Sequence, residues 1–136
     1  MRVVLRLVSL GLVIFALASG CNGSTTDPIV GTWNAVSFNV GGTVYTLPVS
    51  NGVSSIVVTI QANETWTAVE VDTTSGSPVT SYPQGTWTVS GGAYTIIQTS
   101  PTPPAAYFTG TVSGNTLTIT FTNSSSKLVI QSFTKQ

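Results

Sequence analysis

The sequence predicts an all-β protein, a single antiparallel up-and-down β-barrel of eight or nine short strands. Three observations lead to this fold class. Threonine, valine and isoleucine are abundant, and these residues favour strands. Apolar residues make up 41% of the chain and are well patterned, which indicates a folded domain although only 6% of the residues are charged. Short runs of alternating apolar and polar residues recur between turn-forming residues, as in consecutive β-hairpins.

The clearest hairpin is centred on the glycine pair 91–92. A two-residue turn at this pair places Val89 opposite Tyr94 and Trp87 opposite Ile96, so that all four large side chains share one face. Most of the chain repeats this arrangement, which favours a meander whose closure into a barrel removes exposed edges. A two-sheet β-sandwich is the alternative, because strand spacing alone does not exclude it.

The strands are bounded by Gly, Asn, Ser and Pro residues, which favour turns. In order, the predicted strands are 30–40, 43–49, 53–61, 65–72, 79–82 leading through Pro83 into 86–90, 93–98, 106–113, 116–122 and 127–134.

Two further turns fix the register of neighbouring strands. A three-residue loop at 62–64 pairs Ile60 with Trp66, whereas a two-residue loop would mix the polar and apolar faces. A turn at 114–115 places Phe108 opposite Phe121. Both choices keep large apolar side chains on one face.

Prolines mark the places where the sheet is interrupted. Pro83 has no backbone donor, so this part is expected at an edge, a bulge or a strand start. The segment 100–104 contains three prolines and is expected to form an extended surface loop. The Pro101–Pro104 loop acts either as a lid or as a passive connector.

Residues 1–20 have the three parts of a secretory signal peptide. Arg2 and Arg6 form a positive start, an apolar run covers 7–17, and small residues follow. The run is shorter than the roughly 20 residues that a membrane-spanning helix needs. The first 20 residues are therefore expected to be removed.

The segment Ala18-Ser19-Gly20-Cys21 resembles the lipobox of bacterial lipoproteins, with Ala18 where leucine is commonest. The resemblance implies that Cys21, the only cysteine, is acylated and attaches the protein to a membrane. An ordinary cleaved signal with a free thiol is the alternative. We expect three regions: the signal peptide 1–20, the lipidated cysteine and flexible tether 21–28, and the barrel domain 29–136.

The residue after the cysteine is Asn22 rather than aspartate. By resemblance to lipoprotein sorting, this predicts a lipid-anchored protein of the cell envelope. The expected location is the outer membrane, facing the periplasm or the cell surface.

Charge and composition exclude several function classes for the barrel domain. After the predicted signal peptide, two lysines stand against four carboxylates, a net charge of −2, which is not the basic footprint of a nucleic-acid binder. The chain has no histidine, and no general base accompanies its many serines and threonines. We expect no enzyme activity, no metal site and no cofactor.

Glu70 and Asp72 lie two residues apart on one predicted strand. The register that turns Trp66 inward also turns Glu70 inward and brings Asp72 in near the strand end. Glu70 is therefore a candidate for the mouth of a cavity, with Asp72 beside it. The alternative is a solvated strand face.

Large apolar side chains on the inward positions form a second candidate site, which is better supported by the sequence than the Glu70 position. On one interpretation they line a ligand cavity, as an eight-stranded barrel has room for one small ligand; on the other they fill the barrel. The candidate lining residues are Trp33, Ile60, Trp66, Trp87, Tyr94 and Phe121.

Four segments carry a resemblance to a known family. They are 29–33 with its Gly-Thr-Trp start, 60–66, 85–91 with a second Gly-Thr-Trp, and 112–118 with Gly-Asn-Thr-Leu-Thr. These segments resemble the lipocalin-like domain of small secreted bacterial lipoproteins. The chain departs at Glu64, where the family usually has glycine, so Glu64 must adopt a tight conformation. The resemblance implies an eight-stranded barrel and the binding of an apolar ligand.

Two functions follow as hypotheses. The first is a membrane-anchored lipoprotein that binds a small hydrophobic molecule in its barrel. The second is a non-enzymatic envelope module with a filled barrel, whose surface meets a protein or a polysaccharide.

Overall fold

The computed structural model describes residues 26–101 and 106–136 of the chain. These residues form ten strands, and every pairing between them is antiparallel. The strands are β1 (Gly31–Val40), β2 (Thr43–Thr46), β3 (Val53–Ile60), β4 (Thr65–Asp72), β5 (Val79–Ser81), β6 (Gln84–Ser90), β7 (Ala93–Ser100), β8 (Tyr107–Ser113), β9 (Thr116–Thr122) and β10 (Leu128–Lys135). Nowhere in these two ranges does a helix have the length and apolar character needed to cross a membrane.

Eight of the strands close into a barrel. They follow each other in the order β1, β3, β4, β6, β7, β8, β9, β10, and β10 pairs back with β1. The predicted all-β class and antiparallel up-and-down barrel are confirmed, and the sandwich alternative is not observed. Closure leaves the barrel without an open edge.

The two extra strands, β2 and β5, arise where the predicted strands are interrupted. The first half of β1 pairs with β3 and its second half pairs with the short β2. In the same way, β4 pairs first with β6 and then with β5. Pro83 separates β5 from β6 because it has no N–H for the ladder. Its carbonyl still accepts a hydrogen bond from Ala68 N at 2.8 Å.

The predicted hairpin registers are confirmed. Trp87 lies opposite Ile96 across the turn at 91–92, and Ile60 lies opposite Trp66 across the turn at 62–64. In this second turn Glu64 has a φ of 64°, the left-handed conformation that glycine would adopt more readily. Period-two alternation and turn length therefore set the inward face of these strands.

The barrel has two different ends. The connections at 61–64, 91–92 and 114–115 are tight turns at one end, where the segment 27–30 also lies; we call this the closed end. The longer connections 47–52, 73–78 and 123–127 lie at the opposite end, which we call the open end. Strand ends Asp72 and Thr122 are at the open end, and Lys135 is at the closed end.

The core is most tightly packed toward the closed end. Ile29, Trp33 and Leu117 have no exposed surface, and Phe133 has 1%. Burial of a large apolar side chain contributes about 1.5–3 kcal/mol each. The core thus anchors the N-terminal segment, through Ile29, to strands from both halves of the barrel.

Candidate ligand-binding site

A cavity of about 450 Å³ lies inside the barrel and reaches the open end, where Thr122, Asn123 and Ser124 line it. Its wall is apolar, formed by residues such as Ile56, Val58, Ile60, Trp66, Ile119 and Phe121. Its rim is polar, formed by Glu70, Gln98, Thr122, Asn123, Ser124 and Gln131. An apolar pocket of this size with a few polar groups at one side is typical of a small-molecule site.

The wall follows directly from strand alternation. On β4 the inward residues Trp66, Ala68 and Glu70 all line the cavity, and the residue between them, Val69, is exposed. Ala68 lies opposite Val58 on β3, and both side chains are small for an inward position. The cavity exists at this level because these two side chains leave the middle of the barrel unfilled.

The predicted lining residues divide into two groups. Ile60, Trp66 and Phe121 line the cavity. Trp33, Trp87 and Tyr94 do not lie in its lining but are buried beneath it, toward the closed end. The predicted lining residues thus do both: some line a cavity toward the open end, and the others fill the barrel toward the closed end.

Hydrogen bonds of the two indole N–H groups explain why Trp33 and Trp87 lie toward the closed end. Trp33 Nε1 donates to Ile29 O at 2.7 Å, and Trp87 Nε1 donates to Gln61 O at 3.0 Å. Buried indole N–H groups need acceptors, and the backbone of the closed end provides them. Trp87 and Tyr94 also pack edge to face, with ring centroids 5.9 Å apart.

Trp66 is held at the side of the cavity by two backbone carbonyls. Its Nε1 lies 3.2 Å from Thr86 O and 3.2 Å from Ile97 O. Gly85 makes this approach possible, because a Cβ there would overlap the Ile97 carbonyl and lie 2.9 Å from Trp66 Nε1. The glycine of the second Gly-Thr-Trp segment is thus required by the close approach of the Ile97 carbonyl and, beside it, of the Trp66 indole.

Phe108 is a wall residue that the sequence prediction did not select. Its ring meets Phe121 edge to face, with centroids 5.0 Å apart and planes at 88°. The sequence predicts that Phe108 and Phe121 lie opposite each other. This pairing could have identified Phe108 as a lining residue, because Phe121 was already a candidate. Gln98 and Gln131, on β7 and β10, were also not selected as rim residues.

Glu70 is half-buried and lines the cavity near the rim. Burial in this apolar surrounding raises the pKa of its carboxyl group, and the nearby charge of Asp72 raises it further. Ile56 lies opposite Glu70 on β3, so the carboxylate faces an apolar neighbour across the ladder. Glu70 is the ionisable group of the described lining.

Asp72 does not line the cavity, although its strand position predicted a place beside Glu70. It turns toward the β4–β5 connection, where the backbone N and the hydroxyl of Thr74 both donate to it. These hydrogen bonds lower the pKa of Asp72. The carboxylate is satisfied by its own loop, which explains why it leaves the barrel mouth.

No group of three His, Cys, Asp or Glu side chains suited to a metal ion occurs within 26–101 and 106–136. The predicted signal peptide, Cys21 and residues 102–104 of the proline-rich loop lie outside the described residues. Their roles stay predictions.

The comparisons with known proteins agree with the barrel geometry. A family model described as a lipocalin-like domain matches residues 29–119. No curated protein and no solved structure gives a significant match. The matched range includes both Gly-Thr-Trp segments and strands from β1 into β9. The chain therefore belongs to the lipocalin-like domain family.

Proposed function

We propose that this protein is a bacterial lipoprotein that is anchored to a membrane through acylated Cys21 and binds a small hydrophobic molecule in its barrel. The observation that carries the binding half of the proposal is the apolar cavity of about 450 Å³. Each methylene group that enters such a cavity from water contributes about 0.8 kcal/mol. An aliphatic chain is therefore a suitable ligand.

The position of the tether fits this arrangement. The described chain starts beside the closed end, where Asp27 and Ile29 contact the barrel. At about 3.5 Å per extended residue, residues 22–26 span at most about 18 Å. An acyl anchor at Cys21 would accordingly lie nearer the closed end than the cavity mouth, an arrangement that supports the proposal because it leaves the mouth accessible.

A second candidate is a non-enzymatic envelope module that contacts a protein or a polysaccharide. Large apolar side chains are exposed on the described surface, and many belong to strands near the open end. They include Val44, Val79, Tyr107 and Leu128, and Tyr82 is exposed in the β5–β6 connection. This candidate needs no ligand in the barrel.

A cavity-filling substitution distinguishes the two candidates. Ala68→Phe places a phenyl group in the cavity, and Val69→Phe places the same group on the outer face of the same strand. The full-length chain in phosphatidylcholine vesicles is titrated with 1-dodecanol while tryptophan fluorescence is followed. All three tryptophans of the chain lie in the barrel.

We expect saturable binding for the wild type and for Val69→Phe, and at least about tenfold weaker binding for Ala68→Phe, since steric exclusion removes about 1.4 kcal/mol or more. Equal affinities in all three proteins would place the alcohol outside the cavity. No saturable binding in the wild type would favour the interaction module.

The anchor is tested separately. Cells that express the full chain are given labelled palmitate, and the label on the wild type is compared with that on Cys21→Ser. We expect label on the wild type alone. Label on Cys21→Ser, or none on either protein, contradicts the anchoring proposal.

A further inference from the structure

Glu70 breaks the pattern of the cavity wall. The inward positions before it on β4 are Trp66 and Ala68, and its neighbour across the ladder is Ile56. A carboxylate at such a position loses hydration, and Asp72 adds a second negative charge nearby. The negative charge of Glu70 would be stabilised by a positively charged partner.

The described lysines do not supply this partner. Lys135 is at the closed end, where its Nζ donates to Pro28 O at 3.0 Å and lies 5.1 Å from the centroid of the Trp33 ring. Lys127 is the last residue of the β9–β10 connection at the open end; it packs near Gly41 and is not part of the cavity lining. The cavity therefore combines an apolar wall with a negative mouth.

We propose that the ligand is an apolar molecule with one protonated amine, whose aliphatic part fills the cavity and whose ammonium group binds the Glu70 carboxylate at the mouth. This inference rests on the proposed function and narrows its ligand class. The side-chain oxygens of Gln98 and Gln131, which also line the cavity, are available as further acceptors for ammonium hydrogens.

The same geometry selects against fatty acids. A carboxylate head at the mouth meets the Glu70 charge instead of a cation, and the described lining offers no lysine or arginine to hold it. A neutral alcohol of equal chain length is intermediate, because it can donate one hydrogen bond but carries no charge. The predicted order of affinity is amine, then alcohol, then carboxylate.

The test compares three probes that share a twelve-carbon chain: dodecylamine, 1-dodecanol and dodecanoate. Each is titrated at pH 7.5 into the full-length chain in phosphatidylcholine vesicles, with tryptophan fluorescence as the signal. We expect the wild type to bind dodecylamine about tenfold more tightly than 1-dodecanol, as a charge-assisted hydrogen bond provides. Dodecanoate should bind more weakly than the alcohol.

Two variants assign the preference to one carboxylate. Glu70→Gln should reduce the affinity for dodecylamine to that for 1-dodecanol while the affinity for the alcohol changes by less than about twofold. Glu64→Gln removes the same charge from an exposed turn at the closed end and should leave all three affinities unchanged. Glu70→Asp keeps the charge and should keep the order of the three probes.

The outcomes separate this inference from the proposed function. If 1-dodecanol binds in the cavity but dodecylamine binds no better, or if Glu70→Gln keeps the preference for the amine, the amine proposal is overturned and apolar binding stands. If none of the three probes binds, both proposals are overturned.

Discussion

The Tyr94 hydroxyl donates a 2.7 Å hydrogen bond to the carboxylate of Asp27, a residue 67 positions earlier in the chain. Asp27 also accepts from Ile29 N at 3.1 Å through its side chain and from Val30 N at 2.9 Å through its carbonyl. One residue thus folds the N-terminal segment under the barrel and joins it to β7. This junction joins the last residues of the proposed membrane tether to the closed end.

The first prediction concerns this junction. Tyr94→Phe should lower the free energy of unfolding by about 1–3 kcal/mol near pH 8, because it removes a hydrogen bond to a charged acceptor. Chemical unfolding followed by tryptophan fluorescence measures the change. Tyr107→Phe, which alters an exposed tyrosine on β8, serves as the matched control and should have little effect.

The same pair predicts how stability depends on alkaline pH. Burial raises the pKa of Tyr94 to about 12, and the hydrogen bond to Asp27 adds to this increase. Because the folded value lies above the unfolded value, the stabilisation is complete below about pH 10 and is lost as the pH rises to about 12. The wild type should therefore lose more stability than Tyr94→Phe across this range. Parallel losses in both proteins would contradict the assignment.

The second prediction concerns Gly85. In Gly85→Ala the new Cβ overlaps the Ile97 carbonyl oxygen, so the β6–β7 ladder must move, and Trp66 Nε1, 2.9 Å from the same Cβ, must shift as well. We expect a loss of about 3 kcal/mol or more in unfolding free energy, as for severe overpacking. Thr88→Ala, at an exposed position of the same strand, should change stability by only about 0.5 kcal/mol. A Gly85→Ala protein as stable as the wild type would refute this packing.

The third prediction concerns the cost of the Glu70 charge. Its pKa is raised in the folded protein, so its contribution favours folding most at low pH and declines as the pH rises above the usual carboxyl value of 4.5. Glu70→Gln removes this decline. The melting temperature of Glu70→Gln relative to the wild type should therefore increase between pH 4 and pH 8. A constant difference over that interval would show that folding leaves the pKa of Glu70 unchanged, and the opposite trend would show that the folded protein stabilises the carboxylate; either result contradicts the prediction.

Much of the fold could be predicted because hairpin geometry is local. The glycine pair at 91–92 and the period-two pattern around it determine which residues oppose Trp87 and Tyr94. The loop at 62–64 determines the pairing of Ile60 with Trp66 in the same way, even though Glu64 must adopt a positive φ. Turn length and alternation are both visible in the sequence.

The depth of a side chain along the barrel axis was not predictable in this way. Alternation places Trp33, Trp66 and Trp87 on the inner face, but only closure of the barrel decides which of them reaches the cavity. Hydrogen-bond acceptors at the closed end hold Trp33 and Trp87 below it. Strand position also suggested that Asp72 lines the cavity mouth, but Thr74 in the following loop donates to its carboxylate and holds it away from the lining.

Binding inside the barrel is the central claim, and contact quenching tests it most directly. The full-length chain in phosphatidylcholine vesicles is titrated with 12-bromododecan-1-ol, whose bromine quenches an indole that it touches. Trp66 lines the cavity, whereas Trp33 and Trp87 lie beneath it. We predict saturable quenching of the wild type and loss of more than about half of it in Trp66→Phe, since the apolar end of the ligand is driven against the wall. Quenching that never saturates, or that is equal in both proteins, would contradict the claim.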